Sequence, residues 1–194
     1  MARLMEFYSG HPETRCGIGS TLENTEKVRR ELPVLLREFG VHKLVEAPCG
    51  DFHWLSTLDL SGVSYVGIDD DPVNLMLATR QVSNASQREF SHQDIPTAKI
   101  PNADLMLCRE LLQHLPTKEC LGALTAFLDS YTPFLLITSH RNELNGDITT
   151  GGHFREVNLR REPFNLPMPI RQIEDRDSYL GLWTREQIEN SLRS

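Results

Sequence analysis

The residues of this chain best suited to chemistry form a series, each standing where an apolar run gives way to a turn. Glu46 precedes Pro48-Cys49-Gly50-Asp51, and Asp69, Asp70 and Asp71 are consecutive. Asp94 and Ile95 precede Pro96, and Cys108-Arg109-Glu110 is followed by His114. Asp69 lies 19 residues after Gly50, about the spacing at which an acid meets ribose hydroxyls in a βαβ nucleotide site. A pyrophosphate needs close backbone approach at several glycines. Here Pro48 offers no N–H, and Asp51 adds negative charge beside the one glycine. Such a turn suits a ligand that has a ribose and a cationic centre but no phosphates. Glu110 and His114 are spaced to share a face of one helical turn. The carboxylate would orient the imidazole and raise its pKa, giving a base for a hydroxyl or ammonium, with Arg109 beside it.

The elements that must position these residues alternate between strand and helix. "KLVEA" (43–47), "VSYVGID" (63–69), "REFSHQDI" (88–95), "ADLMLC" (103–108) and "PFLLITSH" (133–140) read as strands, the fullest of them nearly continuous apolar runs. Between them, "STLENTEKVRRELPVLLREFG" is an amphipathic helix capped at Ser20 or Thr21. A second helix passes through His53-Trp54-Leu55, and a third starts at Asp71-Pro72 and reaches about Asn84. A fourth starts at Pro116. This alternation predicts a parallel sheet covered on both faces. Ligands of such sheets bind beyond the carboxyl ends of the strands, where the chemical residues stand. After 140 the chain turns polar and long. Residues 141–169 are expected to be either a mobile lid or an ordered wrap, with Arg155, Arg160 and Arg161 available to an acidic acceptor. "IRQIED" and "YLGLW" then predict a β-hairpin at the sheet edge, and "TREQIENSL" a terminal helix.

Composition limits the functions open to the chain. With 194 residues, 39% hydrophobic and 24% charged, one globular domain over 1–194 is expected: an N-terminal cap and helix (1–40), a core (41–140) and a loop with hairpin (141–194). No apolar run is long enough for a membrane span, and the first twenty residues lack the apolar core of a signal peptide. A cytoplasmic protein with no membrane partner is therefore expected. A net charge of −7 disfavours a nucleic-acid partner, since phosphate neutralisation supplies most of such affinity. The four cysteines and seven histidines show no zinc spacing, so no metal is expected. Cys49 and Cys108 end adjacent strands, where each either packs the core or touches a ligand.

Taken together, these residues carry a resemblance. The chain resembles the class I S-adenosylmethionine-dependent methyltransferases. "EAPCGDF" is similar to the first motif of that family, keeping the middle of its three glycines; "YVGIDDDP" is similar to the second, "HQDIP" to the third and "DLMLCRELLQHLP" to the strand-four motif. "GIGSTLENTEKVRRELP" and "PFNLP…YLGLW" extend the likeness to a bacterial subgroup associated with sugar, capsule or natural-product genes. That subgroup often has Gly-x-Trp-Arg where this chain has Gly152-His153-Phe154-Arg155. The resemblance implies a Rossmann-like α/β fold, with a seven-stranded, mostly parallel sheet, an antiparallel edge hairpin and helices on both faces. It implies S-adenosylmethionine as cofactor, held by Glu46, Pro48, Gly50, Asp69, Asp70, Asp94, Ile95 and Cys108. The acceptor would be a hydroxyl or amine of a small molecule, and His114, Glu110 and Arg109 the catalytic candidates. Two alternatives stand beside methyl transfer: consumption of S-adenosylmethionine by cyclisation or aminocarboxypropyl transfer, and cofactor binding without catalysis.

Overall fold

A computed structural model describes residues 11–82, 87–151 and 153–193. In chain order its elements are α1 (Glu26–Glu38), β1 (Lys43–Glu46), β2 (Ser64–Asp69), α2 (Pro72–Arg80), β3 (Arg88–His92) and β4 (Leu105–Cys108). There follow α3 (Thr117–Asp129), β5 (Phe134–Ser139), β6 (Arg171–Asp175), β7 (Ser178–Thr184) and α4 (Arg185–Arg193). The seven strands form one sheet in the order β3-β2-β1-β4-β5-β7-β6. The first five run parallel, and β7 lies antiparallel between β5 and β6. The winding reverses between β1 and β4, and that crevice is where an open α/β sheet takes its ligand.

Two apolar layers cover the sheet. On one face Val28, Leu32, Leu35 and Leu36 of α1 pack with Leu55 and Leu75 against the sheet residues Leu44, Leu105 and Leu107. On the other, Ala123, Leu124 and Phe127 of α3 pack with Ile188 of α4 against Val45, Met106 and Ile137. Successive strand residues point to opposite faces, so the two-sided burial requires the continuous apolar runs seen in β4 and β5. At about 1.5–3 kcal/mol per buried leucine-sized side chain, these layers hold the strand ends in register.

Several local expectations change in the folded chain. α1 begins at Glu26 instead of at the Ser20/Thr21 cap. The Thr25 hydroxyl bonds back to the Thr21 carbonyl at 2.8 Å, and Ile18–Ser20 form a separate 3-10 turn. The helix expected through His53 is a single 3-10 turn, Leu55–Thr57. Gly50 and Phe52 both have φ near +55 to +60° there, a left-handed bend that an α-helix cannot enter directly. α2 starts as expected, with the Asp71 carboxylate accepting from Val73 N at 2.8 Å and Pro72 at its first position. It ends at Arg80; the expected continuation to Asn84 reaches beyond the described residues.

The segment 141–169 is held as a wrap. Val157, Leu159, Phe164 and Leu166 are buried in the core of the α3 face. His140 N donates to Val157 O at 2.8 Å, Leu159 N to Ser139 Oγ at 3.0 Å and the Trp183 indole to Pro167 O at 2.8 Å. Asn158 donates through its amide nitrogen to Asn142 O, and Asn145 donates likewise to Asn158 O. Arg155 turns inward to the Leu115 carbonyl at 2.8 Å, while Arg160 and Arg161 lie exposed away from the cleft described next.

Candidate functional site

A cleft of about 690 Å³ opens at the carboxyl ends of β1, β2 and β4. Its floor is the turn after β1. Gly50 has φ +55°, and a Cβ there would lie 2.5 Å from Cys16 Sγ, so both conformation and space require glycine. Gly50 N donates to Asp69 Oδ2 at 2.8 Å, while Asp71 N and the Asn74 side-chain amide donate to Asp69 Oδ1 at 2.9 and 3.2 Å. These bonds favour the carboxylate, yet burial dominates and raises the Asp69 pKa to about 6. Asn74 Oδ1 is buried beside it without a hydrogen-bond partner among the described residues, and Asn74 lines the cleft. An acceptor left in that state calls for a donor from a ligand.

Glu46 is buried at the end of β1, where the Tyr65 hydroxyl donates to Oε2 at 2.5 Å. Burial raises its pKa to about 8, against the opposing influence of Tyr65 and Arg109. A cation arriving in the cleft would ionise it. Asp51 lines the cleft, and its carboxylate accepts from the Thr14 hydroxyl and Arg15 N, both at 2.8 Å. It thereby pins residues 14–20 as a strap over the turn.

The turn after β4 differs most from its expected form. Glu110 has φ +57° and lies outside the 3-10 turn Leu112–His114, so the helical spacing that was to pair it with His114 is broken. The His114 pKa falls to about 4, because burial dominates, a hydrogen bond with the His153 backbone only partly offsets it, and His140 adds to the lowering. The expected upward shift is therefore reversed. The Glu110 carboxyl is raised by burial, with Arg109 opposing, and makes no hydrogen bond or ion pair among the described residues. Arg109 is buried, with Nε and Nη2 held by the two oxygens of Asp175 at 2.8 and 3.0 Å and Nη2 also on Gly19 O at 2.9 Å. Its guanidinium lies 5.6 Å from the Trp54 ring centroid. It ties β4 to the strap and the hairpin, with Nε and Nη2 engaged, and it lines the cleft.

Of the residues singled out in the sequence, Glu46, Pro48, Gly50, Asp69, Asp70, Arg109, Glu110 and His114 line this cleft. Asp94, Ile95 and Cys108 do not. Asp94 is exposed with its carboxylate accepting from the Thr97 hydroxyl at 2.9 Å, Ile95 is buried in the core, and Cys108 is fully buried with its thiol pKa pushed up by that burial. Other residues add to the lining, among them His11, Pro12, the strap from Cys16 to Ser20, Trp54, Asn74, Leu111 and Arg176. Phe154, 62% exposed, forms the rim with its ring centroid 5.9 Å from those of both His114 and His140. The glycine pair Gly17-Ile18-Gly19 just ahead of a helix was the available signal for the strap. Nothing local marked Arg176.

With this geometry the chain has a fold shared with methyltransferases. No family model and no curated protein matches the sequence. Among solved structures, the magnesium protoporphyrin IX methyltransferase (ChlM) from Synechocystis PCC 6803 with bound SAH aligns with a TM-score of 0.65 at 15% identity, covering 84% of this chain and 84% of that one. The N-methyltransferase NodS from Bradyrhizobium japonicum WM9 aligns at 0.61 and 16%, covering 84% and 96%. A possible exported protein from Bordetella parapertussis is 25% identical with a TM-score of 0.51, over 61% of this chain and 43% of that chain's length. The expected Rossmann-like methyltransferase fold, with its seven-stranded mixed sheet, is thus the observed one. No helix among the described residues is long and apolar enough to cross a membrane.

Proposed function

We propose that the protein is an S-adenosylmethionine-dependent methyltransferase acting on a hydroxyl or amine of a small molecule. The observation that carries this reading is the coupling of the Gly50 turn to Asp69, with the unpartnered Asn74 Oδ1 beside them. Together they offer acceptors for a vicinal diol at one end of the cleft, and Glu46 offers a buried carboxylate for a cation further along. Pro48 and the surrounding carboxylates disfavour a pyrophosphate, so a nicotinamide dinucleotide fits poorly. The cofactor supplies an already activated methyl group, so the chain's task is in-line positioning and handling of one proton. Glu110 takes that proton: its carboxyl makes no hydrogen bond or ion pair among the described residues, and burial raises its pKa against the opposing Arg109. His114, neutral throughout the physiological range, orients the acceptor beneath Phe154.

Calorimetry tests this directly. S-adenosylmethionine and S-adenosylhomocysteine are expected to bind and NAD not to. Asp69→Ala should weaken binding by about 1.5–3 kcal/mol, as for hydrogen bonds to a charged group. NAD binding with no response to either sulfur ligand would overturn the reading. Release of S-adenosylhomocysteine, and not methylthioadenosine, separates methyl transfer from cyclisation.

A further inference from the structure

We infer that Arg176, at the tip of the β6–β7 hairpin, binds the carboxylate of the cofactor's methionyl group; this rests on the cofactor reading above. A ligand carboxylate entering the cleft meets five acidic side chains, Glu46, Asp51, Asp69, Asp70 and Glu110, none of which offers it a positive charge. It can be tolerated only against a cation, and two lining residues carry a fixed positive charge, Arg109 and Arg176. Arg109 is buried and engaged with Asp175 and Gly19 O. Arg176 is exposed and makes no hydrogen bond or ion pair among the described residues. Its guanidinium is therefore the one of the two still able to offer paired donors to a carboxylate.

Its position is built. The hairpin turn holds Arg176 at φ +52°, and the adjacent Asp175 is clamped from below by Arg109. Arg176 Nη1 lies only 3.1 Å from where a Cβ on Gly19 would sit, so the strap passes close enough for its own glycine to make room for the guanidinium. That strap also covers Gly50 through Cys16. Arg176 thus borders the strap that covers the floor turn, whereas Phe154 on the rim is flanked by the two histidines.

The test compares two ligands that differ in that head group. Wild type, Arg176→Ala and Arg176→Lys are titrated calorimetrically with S-adenosylhomocysteine and with 5′-methylthioadenosine, which has the adenosine and sulfur but no carboxylate. Arg176→Ala should lose about tenfold or more for S-adenosylhomocysteine, the worth of a charge-assisted bond. It should keep 5′-methylthioadenosine within about twofold, and Arg176→Lys should recover part of the loss. Unchanged S-adenosylhomocysteine affinity, or equal losses for both ligands, would overturn the assignment while leaving the cofactor reading intact. A wild-type protein that binds neither ligand would overturn both.

Discussion

Glu110 occupies a backbone conformation that costs a residue with a side chain about 1–3 kcal/mol, and such strain persists only where surrounding structure enforces it. The enforcing contact is visible: Glu110 N donates to the Thr138 hydroxyl at 3.0 Å, which turns the chain out of β4 and swings the side chain toward the cleft. In the function proposed above, this separates the roles of two residues that would otherwise have paired. Turnover can be followed as S-adenosylhomocysteine release with an acceptor drawn from a panel of amino and hydroxy compounds. Glu110→Gln should lower it by about 10²–10⁴, the usual worth of a positioned general base. The wild-type rate should rise with pH as the Glu110 carboxyl ionises, and that limb should vanish in the Gln variant. His114 titrates near 4, so His114→Ala should reduce the rate without removing the limb. Loss of the limb in His114→Ala with its retention in Glu110→Gln would exchange the two roles.

At the scale of elements, three segments outside the parallel core build the cleft's walls. The strap is pinned by Asp51, the hairpin by the Arg109–Asp175 pair, and the wrap by its own apolar residues and asparagines. The wrap sets a test of whether the acceptor side is preformed. Amides that open only with the core exchange slowly. In the ligand-free protein, Val157, Leu159 and Leu166 should therefore be strongly protected, their N–H groups bonded to His140 Nδ1, Ser139 Oγ and Leu159 O. Exposed residues 143–144 and 149–150 should exchange fast. Rapid exchange at all three protected positions, reversed by S-adenosylhomocysteine, would make the wrap a lid after all.

For the whole molecule, the cleft's acids tie stability to pH. Glu46 has its carboxyl raised from 4.5 to about 8 by burial, so the folded state binds a proton that the unfolded chain releases near 4.5. The sign follows from linkage: this contribution is full below about 4.5, is lost progressively as pH rises to about 8, and is constant above. Glu46→Gln preserves a partner for the Tyr65 hydroxyl and removes the titration. The denaturant stability of wild type relative to this variant should fall across that window and level off beyond it. A difference independent of pH would mean that Glu46 ionises at an ordinary value. Other acids act in the opposite sense, Glu13 and Asp147 among them with lowered pKa values, which is why the comparison must be made against the variant.

The strand–helix alternation, the two-sided burial and the edge hairpin were legible in the sequence because continuous apolar runs and turn residues act over a few neighbours. The cleft floor was legible too. Asp71-Pro72 sets a helix start locally, and Gly50 and Asp69 are brought together by the adjacent parallel strands β1 and β2, whose pairing the alternation itself implies. Glu110 and His114 were legible only as a spacing. Thr138, 28 residues further on, withdrew Glu110 from the helical turn, and burial then took the His114 pKa down instead of up. Arg109 looked like a catalytic cation until Asp175, 66 residues away, claimed its guanidinium. Arg176 lies beside that same ion pair and reaches the cleft next to a glycine of the strap. The sequence by itself determined the elements and the floor, since short-range sterics and periodicity fix both. Tertiary structure alone decided which charges are engaged and which still face the cleft, because a side chain's partner and its desolvation depend on what the fold packs against it from far along the chain.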